Sequence, residues 1–478
     1  MNDGPSISYD EFRKACAKHR PSELLPFLGR YSAETHGLGG LKSEQLRTLP
    51  PWNFATVARE CLLWGKDIPG YRVNQRAVAR LFNMLRDVTQ YEHDPTLAEI
   101  VTPVMHDQFP YQGNPYTDMG RAIAILATGW DEFPEWDWTP VFGMSLPQMV
   151  RATWVLQGLA SMRGRIDLER TWDARIGEEL APREDLERAL AYLTRTPEQH
   201  RANAVKAGVL RETAGQYDFN PLRSHPLVDF GPGTGIVAPE PRLVWHAISM
   251  QNLYYVGPTV FGATEFHEQL GRRIESYVGR QLRLIDGADL MGEVSLDAQN
   301  KMSIDWFLVL PDLIVLIECK SARLNAKALA GDTGDMIRTT EIHLAKARRQ
   351  IDATARKVLQ RDQRVRFLPD DDRPIVGIII VAEAIWLANS GVPEYGSQGE
   401  TPTMVLSLAE LEGLVCLPTA ELSSRLATTF TSEERRGWSF TQAFGPGLHA
   451  QNNLILGKPG PARSSSTRAT KASTPGRY

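Results

Sequence analysis

From Ser8 to about residue 215, apolar positions recur every three to four residues, the period of helices with one buried face. Pro and Gly clusters break this pattern into short pieces. Ser8-x-x-Glu11 reads as a capping box that opens the first helix, and Pro21 interrupts it. Asp185–Leu193 and Pro197–Leu210 are the clearest amphipathic pieces. Residues 218–260 change character: Asn220–Trp245 holds five prolines and three glycines around short apolar runs, which predicts extended segments and turns in place of helices. Beyond them a helical stripe, Phe266, Leu270, Ile274, Tyr277 and Val278, is followed by two aliphatic runs of strand length, Ile304–Leu310 and Leu313–Ile317. A second stripe, Leu344, Ala347, Ile351, Ala355, Val358 and Leu359, precedes another aliphatic run, Pro374–Ala382. Thr403–Leu426 then mixes strand-like and helical pieces. Gly457–Tyr478 is rich in Ser, Pro, Gly and Thr, with five basic residues and no acid, and cannot bury a core. The expectation is an α/β (α+β) chain: a mainly helical N-terminal region over 1–217, a Pro/Gly-rich connection over 218–260, an α/β domain over 261–456 and a disordered basic tail.

The two aliphatic runs carry charge where a sheet interior should have none. Glu318 and Lys320 close the second run and, at a side-chain period of two, share a face. Asp305 is the acid of the first run. Between them, Leu310-Pro311-Asp312-Leu313 puts Pro at the second turn position, as a type I turn prefers. A hairpin centred there pairs residues whose numbers sum to 623, which sets Asp305 opposite Glu318 with Cβ atoms roughly 4.5–5.5 Å apart. Two carboxylates that close repel, and both are costly to bury unpaired, unless a cation lies between them. Mg²⁺ takes oxygen ligands, commonly one or two carboxylates with waters and substrate phosphate. Lys320, one pleat further, can hold and polarise a water. The set suits metal-assisted hydrolysis of a phosphodiester. Asp312 is a decoy: in an extended strand it would lie roughly 20 Å from Glu318, and in the turn it faces solvent.

This arrangement resembles the PD-(D/E)XK nuclease superfamily, whose motif is an Asp on one strand and Glu-x-Lys on the next. Asp305, Glu318 and Lys320 match it, with Cys319 as the x whose carbonyl commonly helps bind metal in that family. The order helix (Glu265–Val278), hairpin strands, helix (Glu341–Leu359), strand (Pro374–Ala382) is similar to the family's restriction-endonuclease-like αβββαβ core, over about residues 262–385. The resemblance implies Mg²⁺ or Mn²⁺ held at Asp305, Glu318 and Cys319. It implies an endonuclease acting on nucleic acid, DNA before RNA, with bacterial genome defence as a setting. It also implies a Glu from the first core helix, for which Glu275 is chosen over Glu268, and an auxiliary Gln, for which Gln350 stands on the shoulder of the second stripe.

Charge sharpens the picture. The chain has 478 residues, 42% hydrophobic and 23% charged, with net charge −4, so a nucleic-acid surface must be a local patch. The second core helix supplies the most basic folded stretch: Lys346, Arg348 and Arg349 lead it, against Asp352 and Asp362. A merely solvated helix face is the competing reading. Ala322–Thr340, with Arg323, reads as a mobile loop able to close over substrate. Lys346, Arg348, Arg349 and Arg323 are therefore the expected nucleic-acid contacts. Gly231, Gly233 and Gly235 precede no Gly-Lys-Ser/Thr, so they read as a turn and not a phosphate loop. Trp130, Trp136 and Trp138 read as packing before base stacking. The four cysteines show neither pairing nor CxxC spacing, no signal peptide is visible and no apolar run spans a membrane. A cytoplasmic protein is expected, with a partner protein or second copy docking through the N-terminal region. Two rival readings stand: a non-cleaving nucleic-acid-binding scaffold on a nuclease-derived fold, and an enzyme for nucleotide second messengers.

Overall fold

The computed structural model describes residues 7–37, 41–66, 68, 72–89, 94–129, 133–171, 179–206, 215–296, 301–396, 399–432, 434–435, 437–445 and 453–456. Trp130, the last four residues of the helix expected to reach Leu210, and the tail from Gly457 lie outside them. The fold is mixed α/β. In the N-terminal half, Ser8 and Glu11 form both halves of the capping box of helix α1 (Tyr9–Cys16). Pro21 opens α2 (Pro21–His36), occupying a position whose N–H has no helical partner. Two later helices, α3 (Pro115–Leu126) and α4 (Leu146–Arg163), carry much of the apolar face turned to the second half of the chain. At the end of α4, Gly164 has φ +68°, and a Cβ there would sit 1.9 Å from the carbonyl carbon of Gly29 in α2. Only two glycines allow that approach.

The segment 218–260 is less extended than its prolines predict. Leu227–Asp229 and Ile236–Val237 do form an antiparallel pair in a small four-stranded sheet. Gly231, Gly233 and Gly235, all at positive φ, make the turn between them. Leu243–His246, Met250–Val256 and Pro258–Phe261 are helical, however, because Ser249 caps the second and Pro258 stands at the start of the third, where a proline is tolerated. Trp136 and Trp138 are buried: Trp136 stacks on Phe261 and Phe266, and the Trp138 indole N–H donates to the Leu126 carbonyl.

The C-terminal half is built on a five-stranded sheet. Its strands are β1 (Asp289–Gly292), β2 (Trp306–Val309), β3 (Ile314–Lys320), β4 (Ile375–Val381) and β5 (Thr403–Ser407), in the order β5-β4-β3-β2-β1. β1, β2 and β3 run antiparallel to one another, and β4 and β5 continue parallel to β3. The β2–β3 register pairs Trp306 with Ile317 and Val309 with Ile314, the pairing that the turn predicts. Alternation along β3 decides the faces. Val315 and Ile317 join the cluster that contains α5 (Ala263–Leu282), while Ile314 and Leu316 join the one that contains α8 (Lys346–Leu359).

Residues 322–325 are irregular, but most of 326–340 is helical and not a loop. The helices are α6 (Ala326–Leu329) and α7 (Thr333–Thr340), capped by Asn325 and Asp332, with Ala328, Met336 and Thr340 buried. A π turn at Glu341–Ala345 joins α7 to α8. The two halves share their interior. One apolar cluster holds Met119 and Leu156 with Tyr277, Ile317 and Ile378. Within it, buried Arg121 makes two 2.6 Å bonds to the Glu412 carboxylate, which also accepts from the Tyr277 hydroxyl at 2.7 Å. Gln281 donates to that hydroxyl and accepts from Asn453.

Candidate active site

β3 delivers its charged end on the face that α8 covers. Glu318 and Lys320, one pleat apart, form an ion pair, and Lys320 Nζ donates to Gln350 Oε1 of α8 at 3.1 Å. Asp305 stands one residue before β2, and its Oδ2 accepts the Cys319 backbone N–H at 2.6 Å. In an extended strand the N–H and C=O of one residue point to the same edge, so the Cys319 carbonyl also faces the Asp305 side. The structure thus gathers Asp305, Glu318, Lys320 and Gln350 at one end of the hairpin. Glu318 is 1% exposed, and its Oε2 is buried with no hydrogen-bond partner.

The electrostatics follow from that burial. Desolvation, then the Asp305 charge, push the Glu318 carboxyl up to about 7 against the pull of Lys320. Asp305 is also raised by burial, although the Cys319 N–H and Lys320 draw it down. Glu275, half-buried on α5, adds its negative charge to Glu318 and to the Cys319 thiol from the opposite face of the sheet. The thiol itself is pushed well up, chiefly by burial. Two residues of this neighbourhood escape the sequence reading. Glu293, just past β1, is raised by burial and by Asp305. His343, on the π turn, is lowered by burial and by Lys320 and Lys346. An acid directly after an edge strand and a His seven residues before Gln350 were the available signals.

Among the described residues, no group of three or more His, Cys, Asp and Glu side chains is arranged to hold a metal ion. Asp312 is exposed in its turn and bonded to Ser423. The basic residues divide. Lys346 and Arg349 are exposed on α8. Arg348 is buried and donates to the Tyr395 carbonyl at 3.1 Å, so it faces the interior and not a phosphate. Arg323 is likewise turned inward: it pairs with Glu383, donates to the Met250 carbonyl and stacks 4.3 Å over the Tyr254 ring. Both are corrected from nucleic-acid contacts to packing groups, since reaching solvent would break these bonds. No described helix is long and apolar enough to cross a membrane.

No family model matches this chain, and no curated protein matches it. Among solved structures, it is similar to the small subunit (R.BspD6I2) of the heterodimeric restriction endonuclease R.BspD6I. That match has 13% identity and a TM-score of 0.20, and covers 40% of this chain and 91% of that one. An overlay at that score carries no weight for fold or function.

Proposed function

We propose that the chain is a metal-dependent nuclease that hydrolyses phosphodiester bonds in nucleic acid, DNA before RNA, on a restriction-endonuclease-like core. The observation that carries this reading is the convergence of Asp305, Glu318, Lys320 and Gln350 around a buried carboxylate oxygen that has no partner. Buried polar groups are satisfied in nearly all native sites, and an orphaned one beside a second acid fits a cation. The donors suit Mg²⁺ or Mn²⁺: two carboxylates and the Cys319 carbonyl, with waters and phosphate oxygens filling the rest. The order α5, β1–β3, α8, β4 supports the same core.

Bound there, a divalent cation supplies Lewis-acid stabilisation of the charge that develops on the phosphate. The protein's own groups do the rest. Lys320 Nζ, oriented by Gln350, donates to the attacking water, holds it against the phosphorus and favours loss of its proton. Glu275 reinforces the negative field from the other face. Lys346 and Arg349, exposed on α8, would meet the nucleic-acid backbone. No covalent intermediate is needed: water attacks phosphorus and the P–O ester bond breaks. The N-terminal half would select substrate, partner or a second copy, in genome defence.

The test is cleavage of plasmid, single-stranded DNA and RNA with Mg²⁺ or Mn²⁺. Lys320→Ala should lower the rate by about 10²-fold or more, and Asp305→Ala should abolish Mn²⁺ binding by calorimetry. Undiminished cutting by Lys320→Ala would reject the assigned centre. Mn²⁺ binding indifferent to Asp305→Ala, with no cutting, would favour the non-cleaving scaffold.

A further inference from the structure

A cavity of about 450 Å³ opens away from the candidate centre, between the helical N-terminal half, the 215–260 segment and α6. Its size lies in the range of small-ligand sites, about 300–1,000 Å³. Three features of its wall define what fits. Flat rings come first: Tyr192, Tyr217, Phe219 and Tyr255 line it, and Phe219 and Tyr255 are exposed. An exposed aromatic at a cavity wall offers a stacking face.

Charge comes second. The wall carries Arg59 and Arg223, but neither cation is unmatched. Arg59 is paired with Glu60 and donates to the carbonyls of Gly215, Gln216 and Asp218. Arg223 is held by Asp107 at 3.0 Å. His106, His225 and His246 are each brought to about 3, chiefly by burial, and are neutral at physiological pH. Such a lining does not select a polyanion.

Polar edges come third. His106 Nε2 lies 3.3 Å from Arg223 Nη1 and 3.4 Å from Gln251 Nε2, both donors, so it accepts. His246 is 7% exposed and bonds the Pro110 carbonyl through its ring, while its Nε2 has no partner. That nitrogen is left as an acceptor wanting an N–H.

We propose that this cavity binds a nucleobase: a neutral, planar heteroaromatic ring that stacks on Tyr255 or Phe219 and presents an N–H donor to His246. The choice of a nucleobase among such rings rests on the nuclease reading above. The base arrives as a free nucleoside or nucleotide, or is extruded from a duplex. The cavity is also connected to the candidate centre. Ala326 and Leu329 of α6 belong to its wall, and α6 begins six residues after Lys320 in the chain. Between them, Arg323 is clamped by Glu383, Tyr254 and the Met250 carbonyl. A ligand seated against α6 therefore touches the segment that leaves the catalytic strand.

The full-length chain is titrated by calorimetry with the four deoxynucleosides and their 5′-monophosphates, with no cleavage required. A nucleoside should bind as well as its monophosphate, because the wall recognises the base. Ala326→Trp, at an exposed wall position, and Gln251→Leu should each weaken binding by about tenfold or more. In the second arm, 2-aminopurine in a duplex reports base extrusion by its fluorescence. Binding in the first arm assigns the free ligand, and a rise only in the second assigns the extruded base. Silence in both arms, or binding that Ala326→Trp leaves intact, overturns the proposal. Binding with no nuclease activity would reject the function proposed above and leave the site standing.

Discussion

Glu318→Gln tests the buried acid pair through stability, independently of catalysis. In the folded chain the Glu318 carboxyl is lifted from 4.5 to about 7, first by desolvation and then by Asp305. A folded value above the unfolded one means that the native state prefers the protonated acid. Its stabilising contribution is therefore complete below about pH 4.5 and is lost as pH rises through about 7. Above that, keeping the charge buried costs about 3 kcal/mol relative to the unfolded chain. Asp305 is raised too and works in the same direction. Glutamine keeps the shape without the charge, so the variant escapes this cost. After chelation of divalent metal, wild type and Glu318→Gln should unfold alike near pH 4.5, and the variant should gain up to about 3 kcal/mol by pH 8. Thermal melts across pH 4.5–8.5 measure it. Mn²⁺ should restore the wild type at pH 8 and leave the variant unmoved. A variant that is equally or less stable at pH 8 without metal would refute the account of this pair.

Two further predictions separate surface from interior. Lys346→Ala and Arg349→Ala should each reduce the slope of log affinity against log salt for DNA by about 1. Arg348→Ala should leave that slope alone and lower the melting temperature, because it empties a buried bond to Tyr395; equal slopes for all three would contradict the burial. Gly164→Ala should destabilise the chain by more than ~2 kcal/mol in urea, since the new methyl meets the Gly29 backbone and the φ of +68° disfavours it. A neutral result would mean that the α2–α4 approach is looser than described.

The hairpin and its acids were legible because their geometry is local. A Pro-containing turn fixes the register, the register fixes which side chains face each other, and a period of two brings Lys320 beside Glu318. Gln350 was reachable only through family resemblance, and it does meet Lys320. Arg323 and Arg348 turn inward toward partners that are remote in the chain: Glu383 is 60 residues from Arg323, and Tyr395 is 47 from Arg348. A basic residue on the shoulder of an apolar stripe looks the same in sequence whether it turns outward or inward. The helices in 326–340 differ in kind. Their caps, Asn325 and Asp332, stand in the sequence, but the polar composition and the glycines around them point to a loop. Glu293 needed the β1–β2 pairing to bring it toward Asp305, and β1 is too short to announce itself.

The Arg121–Glu412 pair has a consequence in time. The two residues are 291 apart in the chain. At about 5–20 residues per second, a ribosome needs roughly 15–60 s to deliver Glu412 after Arg121. The apolar faces of α3 and α4, destined for the same interior as Tyr277 and Ile317, meanwhile wait for strands β1–β5, the last of which is made only just before Glu412. The nascent N-terminal half must wait in a partly open state, with a guanidinium whose carboxylate has not yet been made. Its completion is therefore a late event in synthesis, and for that interval the half-made chain is a client for whatever shields apolar surface in the cell.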